Sequence, residues 1–270
     1  TINNPPVELQ LDGRIIDRAV KWDLGVNFSL NRSKVLVLSE DKDIFGGELD
    51  NTILKDQLNL MRVGEPMYVF YGYVEDGYDE NGHIVYKNMD DDPAITAADK
   101  TIIGDPNPDF LVNLTTAVSY KGFTLSAFFQ SSIGNDIYSL SMAAQAYDYG
   151  YNGNTLREVY YNHWTPENPT AKYPNLDQTS YKMSDRFVYD GSFVRLKNLE
   201  LAYDVPCARN KFIKRARVYV SAQNLFTITS YPFWDPDINA NGGGSSMIQG
   251  VDSYCYPSAR TYTIGCRLTF

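Results

Sequence analysis

The 270-residue sequence contains no run of 18 apolar residues, so no segment reads as a membrane-spanning helix. It has 2 His and 3 Cys, and Cys207, Cys255 and Cys266 form no CxxC pair. A zinc or thiol-redox centre therefore lacks its usual ligand spacing. Lys and Arg number 24 against 33 Asp and Glu, for a formal net charge of −9. The longest basic run, 211–217 (KFIKRAR), is interrupted by apolar residues. That argues against a nucleic-acid partner, because phosphate binding needs clustered cations. There is no GxSxG, HExxH or Walker loop. Asp235 and Asp237 flank Pro236 and read as a loop turn, not as a glycosidase carboxylate pair. The sequence is accordingly read as that of a non-enzyme. The opening TINNPPVELQ has neither the basic nor the apolar stretch of a signal peptide, so an exported chain of this sequence is expected to be mature or a fragment.

Tyrosine is abundant, with 21 copies, and aromatics reach 14%. Rings with an apolar body and a wet tip suit interfaces and ligand-contact loops. Apolar residues recur with period two, the strand signature. Trp22, Leu24, Val26, Phe28 and Leu30 alternate with Asp23, Gly25, Asn27 and Ser29. Similar runs begin at Val7, Phe110, Phe123, Leu199, Val218 and Tyr262. Seven strands are predicted, several of the length that a tilted strand needs to cross a bilayer. The low mean hydropathy fits, because lipid-facing and lumen-facing residues alternate. The connections sort by length. Those around Arg18, at Lys121-Gly122 and at 206–214 are short, while 33–109, 131–192 and 228–258 are long. Short turns at one end and long loops at the other are the outer-membrane barrel pattern, with the long loops extracellular. Barrels of bacterial single chains have even strand numbers, so seven strands predict a truncated chain whose N-terminal part supplies more.

Six stretches in order carry a family likeness: VGEPMYVFYGYVEDG (63–77), TIIGDPNPDF (101–110), SYKGFTLSAFFQSSIGNDIY (119–138), HWTPENPTAKYP (163–174), SDRFVYDGSFVRLKNLELAY (184–203) and VYVSAQNLFTIT (218–229). Together with the ending YPSARTYTIGCRLTF, they resemble the C-terminal part of TonB-dependent outer-membrane transporters of the SusC/RagA type, from about Val7 onward. The resemblance implies an all-β fold: the C-terminal portion, about seven strands, of a large antiparallel transmembrane β-barrel with long extracellular loops. It further implies a location in the cell outer membrane of a Gram-negative bacterium. The implied work is energy-coupled uptake of oligosaccharides or oligopeptides with a SusD-like surface lipoprotein. The TonB system would act through an N-terminal plug and TonB box that these residues do not include. The other reading is a soluble β-rich glycan-binding module.

Candidate sites follow. Thr263, Gly265, Leu268 and Phe270 match the pattern of a terminal-strand assembly signal, against the plainer reading of an edge strand. Asn88, Asp90, Asp92 and Asp99 have the oxygen-ligand spacing of a calcium loop, but Pro93 stands where the loop's glycine is needed. The alternative there is a metal-free acidic turn; no other cofactor is expected. Tyr147, Tyr149, Tyr151, Trp164, Tyr231, Trp234 and Tyr254 are candidates for substrate contact, partner contact or loop packing. Period two predicts Leu24, Val26, Leu125, Leu201, Val220 and Ile264 on a lipid-facing side, and Asn27, Ser126, Gln223 and Arg267 opposite. Cys207 and Cys255 belong to connections at opposite ends of the strands, so three free thiols are expected.

Overall fold

Residues that alternate with period two must lie on opposite faces of a pleated strand. In the computed structural model, which describes residues 1–50, 54–147, 154–207, 212–238 and 247–270, seven such strands form one antiparallel sheet. They are β1 (Pro6–Asp17), β2 (Val20–Asn31), β3 (Phe110–Tyr120), β4 (Phe123–Ile133), β5 (Phe193–Val205), β6 (Arg215–Thr229) and β7 (Thr261–Thr269). Their order in the sheet is their order in the chain. β1 and β7 are the two edges, and the sheet is not closed among the described residues.

The register shows why the sheet has two unlike faces. Ile16, Trp22, Val118, Leu125, Leu201, Val220 and Ile264 are successive cross-strand partners in a row crossing all seven strands. Five to seven residues along each strand from that row, on the opposite face, Gln10, Asn27, Asn113, Gln130, Arg195 and Thr227 form a polar row across six. The residues expected on each side therefore lie together as predicted. Slipping one strand by a residue would exchange its faces, so this register is strongly specified. At the short end, Lys121 (φ 48°) and Gly122 (φ 87°) both take positive φ, the two-residue hairpin turn whose twist matches its strands.

The long connections are not bare loops. They hold short strands in separate small sheets, and helices α1 (Leu140–Tyr147) and α2 (Arg157–Tyr161). They also hold the protein's core. Leu54, Leu58, Phe70, Tyr73, Tyr138, Leu140, Met183, Phe187 and Val251 pack together, and every member of that buried cluster lies outside the seven strands. The three connections thus form one packed cap at one end of the sheet.

Candidate functional site

The polar face of the sheet is held by hydrogen bonds and ion pairs between strands. Arg14 Nε donates to Asp23 at 2.8 Å, and Arg217 reaches Glu200 and Asp204, each at 3.2 Å. Where this face meets the cap, the Arg195 side chain is almost fully buried. Its Nε donates to Thr227 Oγ1 at 2.9 Å, one terminal nitrogen reaches Asp237 and Ser258 at 3.3 Å, and the other donates to Asp235. Ser258 N also donates to Asp235 Oδ2 at 2.8 Å. One guanidinium therefore ties both ends of the β6–β7 connection to the sheet, using the fixed fork geometry that suits arginine. Burial would raise the Asp235 carboxyl, but the N–H groups of Ser258 and Asp237 and the Arg195 charge outweigh it and hold it below the usual carboxylate range.

Beside this clamp lies a cavity of about 230 Å³, walled by Asn113, Gln130, Ser132, Asn135, Phe193 and Asp237. The Asn113 Oδ1 atom is buried without a hydrogen-bond partner. Amide and hydroxyl groups around one aromatic wall can bind a neutral hydrogen-bonding group; no nucleophile–base pair is present in the lining.

Two further polar sets hold the cap together. Glu75 accepts from Ser184 Oγ at 2.7 Å and from the Arg186 guanidinium, joining the first connection to the second. Asn59 is buried and pairs like a peptide unit with Gln249, donating to its carbonyl at 3.0 Å and accepting from its N–H at 3.3 Å. That bond joins the first connection to the third. Neither these residues nor Arg195 stood out in the sequence, because each is one polar residue inside a nonperiodic stretch.

The predicted aromatics divide. Tyr147 is buried, stacked 3.8 Å from Tyr181 and edge-on to Phe187 at 5.1 Å. The Trp164 ring lies on Gly82, whose positive φ and missing Cβ make room for it. Tyr231 is buried; its hydroxyl contacts Ser139 at 2.8 Å and donates to Asp252 at 2.5 Å, and burial raises its pKa. These three pack the cap. Trp234 and Tyr254 are exposed, with Trp234 stacked on Phe233 at 4.7 Å. Tyr149 and Tyr151 lie outside the described residues.

The acidic segment forms local turns. Asn88, Asp90 and Asp92 each accept from the backbone N–H two residues on. The buried Asp99 carboxylate accepts from Met89 N and Thr96 N, both at 2.7 Å, and these bonds hold its pKa below the usual range. Among the described residues no three His, Cys, Asp or Glu side chains are grouped to hold a metal. On β7, Thr263 and Gly265 lie on the polar face, while Leu268 belongs to the apolar set. A Cβ at Gly265 would sit 2.5 Å from Tyr219 Cζ, so glycine there lets the Tyr219 ring cross the edge strand. Phe270 is exposed just beyond. All three cysteines are free thiols.

No protein-family model matches the sequence. The chain is 31% identical to TonB-dependent receptor P3 of Formosa agariphila over 291 residues, covering 100% of this chain and 29% of that protein. It is 27% identical to TonB-dependent receptor SusC of Bacteroides thetaiotaomicron, covering 100% of this chain and 26% of that protein. A solved structure of the RagAB peptide transporter superposes with a TM-score of 0.81 at 26% identity, covering 100% of this chain and 29% of that one. The chain thus spans under a third of the length of these relatives.

Proposed function

This chain belongs to the TonB-dependent receptors of the SusC/RagA type, and on that premise we propose that it is the C-terminal part of an outer-membrane transporter's β-barrel in a Gram-negative bacterium. The whole protein takes up an oligomeric nutrient, oligosaccharide or oligopeptide, with energy relayed from TonB through parts outside these residues. A SusD-like surface lipoprotein covers the cap. The chain itself does no covalent chemistry.

The observation that carries this reading is the broad apolar face of the sheet. Leu125, Leu201, Val220 and Ile264 are exposed neighbours in one row, with Val7, Leu9 and Leu11 exposed on the edge strand of the same face. A soluble protein rarely leaves so large an apolar patch wet, whereas a barrel presents it to lipid. The soluble glycan-binding alternative would need a second layer over this face, and the cap packs at its end instead. The polar face then lines the lumen, and the cavity beside Arg195 offers passing substrate its hydrogen-bonding groups. Trp234 and Tyr254, with Tyr149 and Tyr151, serve as outer contacts for substrate or lipoprotein. Thr263, Gly265, Leu268 and Phe270 act as the assembly signal, read by strand addition at the β7 edge.

Fractionation of the full-length receptor tests the reading. It is expected in the outer-membrane fraction, and its gel migration should change on heating. A freely soluble monomer without detergent would overturn it.

A further inference from the structure

Charge is divided unevenly between the two ends of the fold. The long connections, 32–109, 134–192 and 230–260, contain 27 of the 33 acidic residues but 12 of the 24 basic ones. The strands and short turns hold the remaining 12 basic residues and 6 acidic ones. A chain with net charge −9 therefore has net-positive strands and short turns beneath a strongly negative cap.

The cations at that end fall into two groups. Arg14 and Arg217 lie along the strands and are paired, with Asp17 and Asp23 and with Glu200 and Asp204 respectively. Lys21, Arg215 and Arg267 also lie along the strands, exposed on the polar face, whereas Arg18, Lys121 and Lys214 lie at the turns and are exposed. None of these three turn cations makes an ion pair among the described residues. They adjoin a row of aromatics on the apolar face. Tyr120, Phe123 and Tyr203 are cross-strand partners, with the Phe123 and Tyr203 rings 4.4 Å apart. Lys121 Nζ stands 5.2 Å from the centroid of the Tyr120 ring. Aromatic rings on a lipid-exposed face mark headgroup depth. Long cationic side chains one turn beyond them end where lipid phosphates lie.

We propose that the short-turn end is a binding rim for anionic glycerophospholipid headgroups, with Arg18, Lys121 and Lys214 contacting the phosphates and Tyr120, Phe123 and Tyr203 seating the acyl–glycerol boundary. This rests on the barrel reading above. The negative cap disfavours direct phosphate contact at the other end, so the fold carries its own sidedness toward the phospholipid leaflet.

The test uses the full-length receptor in nanodiscs of phosphatidylcholine doped with phosphatidylglycerol, with the lipid retained on purification quantified against bulk. Wild type is expected to enrich phosphatidylglycerol about three-fold or more, and raised salt should erode this. The combined Arg18→Gln, Lys121→Asn and Lys214→Gln variant should lose the enrichment. Asparagine is used at position 121 because it tolerates the left-handed turn. A control removing equal charge from the cap, Arg32→Gln, Lys34→Gln and Lys87→Gln, should keep it. Lipid A, the other source of phosphate, should be retained equally by wild type and the short-turn variant. No enrichment in wild type, salt-independent enrichment, equal loss in both variants, or loss of lipid A alone would each overturn the proposal. A receptor that never enters the nanodisc would instead refute the barrel reading. If the three-site variant loses heat-modifiable migration, the wild-type salt series decides.

Discussion

In β4, β5 and β6, Leu125, Leu201 and Val220 each leave nearly half their surface exposed, at 48%, 46% and 48%. In the first long connection, Leu54, Leu58 and Leu60 leave 1%, 0% and 0%. The same kind of side chain thus meets two environments within one chain. The cap is built as a water-soluble domain is built, with rings and leucines packed inside. The sheet has little interior of its own and offers its leucines to whatever lies outside. Cap stability should therefore follow packing and buried polar contacts, and sheet stability should follow the lipid.

The largest effect that would separate the two regions is at their junction. Arg195→Ala removes one partner of a buried pair and leaves Asp235 charged and buried, which typically costs about 3–5 kcal/mol. The expected outcome is protease cleavage within the β6–β7 connection of the full-length receptor while the sheet stays protected. Loss of protection in the sheet as well would mean that the cap and sheet are one cooperative unit. Next comes Val220→Arg against Gln223→Arg. Arginine on the lipid face at mid-bilayer costs about 2–4 kcal/mol, whereas on the lumen face it stays wet. Assembly, read by heat-modifiable migration, should fall for the first and persist for the second. Equal tolerance would erase the contrast between the faces.

These two regions were also unequally legible in the sequence. Period two marked all seven strands because lipid and lumen impose strict alternation. It gave β5 only from Leu199, although the strand begins at Phe193. The reason is the register shift around Lys197, where Phe128 pairs with Asn198 but Phe129 with Leu196. The extra residue moves Val194 and Leu196 out of phase with Leu199 and Leu201, and hides Arg195 on the polar face. The cap could not be read this way. Its strands are two to four residues long, too short to display a period, and its core comes from scattered residues in three connections. The aromatics were visible as a group, but sequence could not sort buried Tyr147 and Tyr231 from exposed Trp234.

A moderate effect tests whether the cap is stabilised from within. Tyr231→Phe removes a hydroxyl that donates to the buried Asp252 and leaves that carboxylate short of a partner, a loss of about 1–3 kcal/mol. Faster amide exchange is expected at Tyr138 and Val251, which pair beside this network, with no change in β1–β4. Exchange that rises across the sheet as well would contradict the division drawn above.

The smallest effect concerns the acidic segment and turns on pH. The Asp99 carboxylate is held below its usual pKa by the N–H groups of Met89 and Thr96. A group whose folded pKa is depressed contributes stability that is present above its unfolded pKa and is lost as pH falls through its folded pKa. Local opening of residues 88–99, followed by amide exchange at Met89 and Thr96, should therefore rise in acid. In Asp99→Asn one carboxylate oxygen becomes an NH₂ group that cannot accept, so the segment should open more readily at neutral pH and respond less to acid. Added calcium should leave the neutral-pH exchange of wild type unchanged, because both Asp99 oxygens and one side-chain oxygen each of Asn88, Asp90 and Asp92 already accept local N–H bonds. Protection gained with calcium and lost in Asp99→Asn would make this turn a metal site instead.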